Sequence, residues 1–195
     1  TAVGTDARAI GYQSSAFGST AYATEKHTLA AGYFSDATAE GATAIGANSD
    51  ASGVGSSAFG SFSNATGENA IAIGLGAQAT AKDAISIGTG NIVTGEGSGA
   101  IGDPTTVNGA GTYSVGNNNG TIDATNSGVF GNNNTITGAL DGVRVIGNTN
   151  TVTASGAMVM GNSATVSAAD GVALGSNTSV TQEGCVALGS GSVAN

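Results

Sequence analysis

The side chains that most often carry chemistry are scarce in this chain and do not converge. His27 is the only histidine and stands between Lys26 and Thr28, a setting that reads as a solvated loop and not as a catalytic base or metal ligand. Cys185 is the only cysteine, so no intrachain disulfide is available, and it reads as a small buried residue. No Cys–His pair comes within reach for nucleophilic catalysis. Glu25, Glu40, Glu68, Asp83 and Glu96 occupy varied places in the pattern described below, and the glycine–aspartate nonapeptide of calcium-binding rolls is absent. The chain has no Gly-x-Ser-x-Gly elbow, and its glycine-rich stretches lack the strand–loop–helix context of a phosphate loop. The expectation is a protein without catalysis, cofactor or metal.

Composition points to a repetitive β protein. Among 195 residues there are 34 glycines and one proline, no tryptophan, and only 9% are charged. Disordered chains are usually charged and lack ordered β-branched residues, whereas here the small residues recur at fixed offsets. The net charge of −9, with Arg8, Lys26, Lys82 and Arg144 as the only cationic side chains, leaves no basic stripe for nucleic acid or anionic lipid. No run of 18 apolar residues and no signal peptide is seen. The chain reads as one domain, 1–195, cut from a longer protein.

The elements are set by a glycine that follows a small-apolar pair at Gly4, Gly18, Gly32, Gly46, Gly60, Gly74, Gly88, Gly102 and Gly116, each 14 residues after the last. The next steps, 15 residues to Gly131 and 16 to Gly147, are longer, and the 14-residue period then resumes to Gly161, Gly175 and Gly189. A fixed short period means a stack of like supersecondary units. Within a unit, Ser63-Asn-Ala-Thr66 and Ala70-Ile-Ala-Ile73 alternate as short strands, separated by corners that carry glycine at the period itself and again seven residues on (Gly11, Gly53, Gly67, Gly95, Gly109, Gly138). Glycine at both corners suits bends with positive φ. This predicts about 13 coils of 14 residues, two strands per coil.

The two strands differ. The first has one small-apolar face (Ala23, Ala37, Ala51, Ala65) and one polar face (Tyr22, Asp36, Asp50, Asn64), so it is half buried. In the second, the residue before each glycine (Phe17, Ile45, Phe59, Ile73, Met160, Leu188 among them) is expected to fill the coil. The residue before that points the other way: Ala16, Ala30, Ala44, Ala58, Ala72, Ser86, Ala100, Ser114, Val129, Val145, Val159, Ala173 and Ala187. None is charged, so neither face of this strand suits water. A two-stranded coil has nothing left to cover the second face, so that column is expected to meet further copies of the chain in an obligate homo-oligomer.

Asn69-Ala-Ile-Ala-Ile-Gly-Leu-Gly-Ala77, Asp83-Ala-Ile-Ser-Ile-Gly88 and Gly171-Val-Ala-Leu-Gly-Ser176 resemble the Asn-Ser-Val-Ala-Ile-Gly-x-x-Ser head repeat of YadA-like trimeric autotransporter adhesins, in phase along essentially the whole chain. The resemblance implies an all-β, left-handed parallel β-roll assembled as a homotrimer. It also implies a place on the bacterial cell surface, held to the outer membrane by an anchor outside this sequence. It implies adhesion to host cell receptors or extracellular matrix proteins.

Two regions stand out as candidate binding surfaces. Tyr22 lies on the polar face of a first strand, while Tyr12, Tyr33, Phe34 and Phe62 lie at corners, so five aromatics fall in the first five coils at places not expected to be core. Leu140, Asp141 and Arg144 lie in or beside the longest insertion, within the long coils of 116–147, and insertions in repeats often map to binding faces. Arg144 stands where other coils place Ile, Leu or Val, and pairing with Asp141 would close a bulge. A second reading of the chain, as an ice- or surface-binding β-solenoid, comes from the Thr-x-Thr pattern of Thr135/Thr137, Thr151/Thr153, Thr165/Ser167 and Ser179/Thr181. That pattern gives way to Asp36, Asp50 and Gln78 in the N-terminal half.

Overall fold

Each period makes one turn from a three-residue strand, a bend, a two-residue strand and a second bend, as in Ile71–Ile73 followed by Gln78–Ala79. A computed structural model describes all residues, Thr1–Asn195, as an all-β parallel solenoid of about 14 turns with no helix. Turns stack in parallel and in strict register: Ile71 on Ile85, Ala72 on Ser86, Ile73 on Ile87. The backbone ladder carries the stack, with Ile71 N–H donating to Ala84 C=O at 2.9 Å and Gln78 N–H to Asn91 C=O at 2.8 Å. The chain divides into two compact units, Thr1–Gly97 and Ser98–Asn195.

The period glycines carry the positive φ expected of them, as Gly46 (φ 136°) and Gly74 (φ 126°) do, but Gly11, Gly53, Gly67, Gly95 and Gly109 do not, and each bend holds a further left-handed residue. In the first bend it stands two residues after the period glycine, as at Asn48 (φ 55°) and Asn118 (φ 57°); in the other it is Gly41, Gly55, Asn69 or Asp83. The glycine seven residues into the turn serves a different need. A Cβ on Gly67 would run into the carbonyl of Ala81 in the next turn, so glycine there permits close stacking.

The faces of the longer strand are the reverse of the sequence expectation. Ala16, Ala30, Ala44, Ala58, Ala72, Ser86, Ala100, Ser114, Val129, Val145, Val159, Ala173 and Ala187 are buried inside the coil of a single chain, so they cannot be the surface that meets another copy. The residue before each glycine points outward instead: Phe17 is 43% exposed and Ile73 39% exposed, against 0% for Ala16 and Ala72. The reason is space. A two-strand turn is too flat to hold a phenylalanine or isoleucine between its walls, so the interior takes the smaller column and the larger side chains face out.

In Thr1–Gly97 the interior is mostly alanine and serine: Ala16 to Ala72 from one wall, Ala23 to Ala79 from the other. Some buried serines donate back to the period glycines, Ser49 Oγ to Gly46 C=O at 2.9 Å and Ser63 Oγ to Gly60 C=O at 2.8 Å, while the hydroxyls of Ser14 and Ser56 have no partner. Ala72→Leu should therefore overpack the coil and cost about 1–3 kcal/mol in chemical denaturation, with assembly unaffected wherever the chain remains folded.

In Ser98–Asn195 the interior is larger. Val107, Ile122, Ile136, Val152, Val166 and Val180 face Val129, Val145 and Val159. Beside them runs a buried asparagine ladder. Asn134 Nδ2 donates to Asn119 Oδ1 (3.2 Å) and to Gly147 C=O (2.8 Å), and Asn150 Nδ2 donates to Asn134 Oδ1 (3.0 Å) and to Gly161 C=O (2.9 Å).

Candidate functional site

The five aromatics do not form one patch. The strand that runs into each period glycine, with its sheet, is termed inner, and the other strand, with its sheets, outer. Tyr12 sits at the bend between outer strand Arg8–Ala9 and inner strand Ser15–Phe17 with its ring edge-on to His27, 6.3 Å between centroids. Tyr22 is on the outer strand, with the Arg8 guanidinium 5.5 Å from its ring centre. Tyr33, Phe34 and Phe62 share the bend after the period glycine, and the Tyr33 and Phe34 rings meet edge-to-face at 4.5 Å. Leu75, which the sequence did not single out, is exposed at the same bend. Phe34 (φ 51°) and Phe62 (φ 59°) hold the left-handed position that asparagine and glycine hold in other turns. A bulky side chain there carries strain of roughly 1–3 kcal/mol. His27 is also left-handed and exposed.

Next to these lies an acidic step. Asp36 and Asp50 are stacked partners on the outer sheet. Partial burial, and then the charge of Asp50, raise the Asp36 carboxyl above its ordinary value, and one of its oxygens is buried without a hydrogen-bond partner. The folded chain thus holds this proton more tightly than the unfolded chain. Its contribution to stability falls as pH rises from about 3.8 through the folded value. Asp36→Asn should stabilise by about 0.2–1 kcal/mol at pH 7 and by less near pH 3, as read by thermal melts at both pH values.

In the other unit, Leu140, Asp141 and Arg144 serve one structural role. The two extra residues of the 16-residue turn lengthen the bend after Thr135–Ile136. Asp141 accepts from Asn126 Nδ2 and from Thr125 Oγ1, each at 2.8 Å. These two bonds, Asn126 first, hold its carboxyl below the usual range, with the positive charge of Arg144 adding to the shift. Arg144 makes no ion pair with Asp141. Its guanidinium donates to Asn126 C=O at 2.7 Å and Val143 C=O at 3.1 Å. Leu140 C=O accepts from Thr125 N–H at 2.8 Å, and the Leu140 side chain is half-buried. Arg144 is stacked on Gly128 and Met158, on the outward face of the inner sheet, so it brings a charge onto an otherwise apolar surface.

That outward face is an apolar stripe in each unit. Phe17, Phe59 and Ile73 line it in Thr1–Gly97; Ile101, Phe130, Ile146, Met160 and Leu188 line it in Ser98–Asn195, flanked by Tyr113, Met158 and Val186. The opposite, outer face of Ser98–Asn195 carries the threonine ladder in register, Thr135 on Thr151 on Thr165 on Ser179. The exposed lysines are tied across turns in Thr1–Gly97, Lys26 to Glu40 at 2.7 Å and Lys82 to Glu68 at 3.8 Å. No three His, Cys, Asp or Glu side chains are grouped to hold a metal.

The sequence reading missed the interruption of the outer sheet at the 15-residue turn. The extra residue is Gly120, left-handed at φ 66°, at the head of the strand Gly120–Ile122. Its signal was present in Asn117-Asn-Asn-Gly120, an asparagine–glycine step of the kind that makes bends.

No curated protein matches this chain. The family model for the YadA head domain repeat (2 copies) matches residues 1–21, 9–35, 23–49, 51–77, 65–91, 79–105 and 146–178, well over half the length, and the spans pass over 106–145, where the long turns lie. With its 14-residue parallel turns and its period glycines, the chain belongs to the YadA-like head-domain family of trimeric autotransporters.

Proposed function

We propose that the chain is the head of a bacterial surface adhesin and works as a homotrimer closed through the outward face of its inner sheets. The observation that carries this is the row of Phe17, Phe59, Ile73, Ile101, Phe130, Ile146, Met160 and Leu188, too apolar and too continuous within each unit for a surface left in water. The alanine-lined interior of Thr1–Gly97 supports the same reading. Burial of alanine removes little apolar area, at roughly 25 cal/mol per Å², so covering the outer row supplies what the thin interior lacks. Family membership supports adhesion at the outer surface of the cell. Nothing in the side-chain arrangement argues for turnover.

Adhesion would then use surfaces left free by the seam. The strained bend of Tyr33, Phe34 and Phe62 is the first candidate, since strain at an exposed aromatic is kept where contact repays it. The Leu140–Asp141–Arg144 bend is the second; Tyr12 and Tyr22 stand apart from both. Three copies presented on one rigid body would act together on dense receptors. The test is binding of the soluble protein to host cells and to a panel of immobilised matrix proteins, with Tyr33→Ala and Leu140→Ala alongside. Saturable binding weakened by one of these changes is expected. Wild-type protein that binds nothing overturns the adhesive reading, and binding untouched by either change overturns both candidate surfaces.

The in-register ladder from Thr135 to Thr181 favours a second reading, an ice- or surface-binding face. Thermal hysteresis abolished by Thr151→Tyr would establish it, and its absence in the wild-type chain would remove it.

A further inference from the structure

Where the outer sheet of Ser98–Asn195 is interrupted, two rungs of the backbone ladder are missing. On one side of the gap Asn108 N–H donates to Ile122 C=O at 2.9 Å; on the other, Thr137 N–H donates to Val152 C=O at 3.0 Å. The equivalent bonds across the gap, Thr121 N–H to Asn134 C=O and Asp123 N–H to Ile136 C=O, are not made. The cause is Gly120. Inserted at φ 66°, it keeps Gly120–Ile122 in register with Thr105–Val107 on one side and puts it out of register with Thr135–Ile136 on the other. Extra residues of this kind locally break pairing and are frequent beside functional sites.

The break opens a cleft of about 270 Å³, lined by Asn118, Thr121, Asp123, Asn134, Thr135 and Thr137 among others. Its polar groups are of mixed kind. Unpaired N–H donors alternate with unpaired C=O acceptors, and around them stand hydroxyls, the amides of Asn118, Asn119 and Asn134, and one carboxylate. Asp123 Oδ1 is held by Asn108 Nδ2 at 2.7 Å, which fixes the carboxylate at the mouth. No lysine or arginine lines the cleft, so an anion finds no counter-charge; Ile136 is its only large apolar side chain, so an apolar ligand finds no wall. The volume lies just under the range of drug-sized pockets, which fits one ring and not a long chain.

We propose that this cleft binds a single neutral, hydroxyl-rich sugar ring of a surface glycan. Each sugar hydroxyl both donates and accepts, which matches paired backbone donors and acceptors that have no other partner. The ring would sit across the gap, taking N–H bonds from Thr121 and Asp123 and giving O–H bonds to Asn134 C=O and the Asp123 carboxylate. Thr135 and Thr137 would contact its far edge. The proposal rests on the adhesive reading only for what the sugar is attached to.

The test is titration of the intact chain with methyl glycosides of glucose, galactose, mannose and their N-acetylamino forms, followed by saturation-transfer NMR. Asp123→Asn and Thr135→Val keep the fold, which melting temperature checks; Asp123→Asn should weaken binding about tenfold or more, the scale of a lost charge-assisted hydrogen bond, and Thr135→Val about threefold or more, the scale of a neutral one. Thr165→Val, on the same sheet beyond the cleft, should leave binding unchanged. Absence of saturable binding to every neutral sugar overturns the proposal, as does binding confined to sialylated or sulfated sugars, or an equal loss in Thr165→Val. A chain that binds a sugar here yet adheres to no cell or matrix sinks the adhesive reading alone. Adhesion unchanged in variants that have lost the sugar removes the cleft from adhesion and leaves it a sugar site.

Discussion

Ile73→Asp should take the assembly apart. Ile73 is left 39% exposed by its own chain, although Ala72 beside it is fully enclosed. In a trimer closed on this face, three aspartates would be brought together out of water, at a cost of several kcal/mol for each unpaired charge. The sedimenting mass should fall to that of one chain. Because the alanine interior is thin, lost assembly and lost β-structure should be coupled in circular dichroism. Thr66→Asp, at an exposed residue just after the outer strand Asn64–Ala65, should leave both untouched. If Ile73→Asp still sediments as an oligomer, the seam lies on another face.

Gly74→Ala should be among the most damaging single methyl additions in the chain. Gly74 has φ 126°, a region L-residues rarely enter, and a Cβ there would be driven into the carbonyl of Gly88 in the next turn. Backbone on one side and backbone on the other leave no flexible side chain to yield. The turn must lose its rung from Gly88 N–H to Ile73 C=O, now 2.8 Å, or change its bend. The loss should exceed about 3 kcal/mol in chemical denaturation. By contrast Gly76→Asn, at a left-handed position with open space that asparagine fills in other turns, should cost little. Equal tolerance of the two changes would mean that the stacking is looser than the register indicates.

How far the sequence could be read followed from what repeats. The period glycines and the alternation around Ala70-Ile-Ala-Ile73 set the strands, the parallel stacking and the one-residue register, because each depends only on local spacing. Direction within the turn was not legible. Ala72 and Ile73 are both apolar, and alternation says that they face opposite ways without saying which way is in. The width of the coil decides that, and width is a property of two walls together. The bends were half legible for a like reason: Gly67 is required by close approach and not by φ, while the left-handed residue is two positions later.

The sites were less legible still. Tyr12, Tyr22 and the Tyr33–Phe34–Phe62 group are neighbours in sequence, yet the turn distributes them over a bend, a strand and the opposite bend. The length changes at Gly131 and Gly147 did locate the irregular region. They did not disclose that Gly120 moves a strand out of register, because a ladder rung involves a residue one turn away.

The most direct test of the central claim is sedimentation of the wild-type chain across a wide dilution series, with circular dichroism on the same samples. The expected result is the mass of three chains, with β-structure lost as the trimer dissociates. A folded, stable monomer carrying Phe17, Ile73 and Met160 in open water would contradict it.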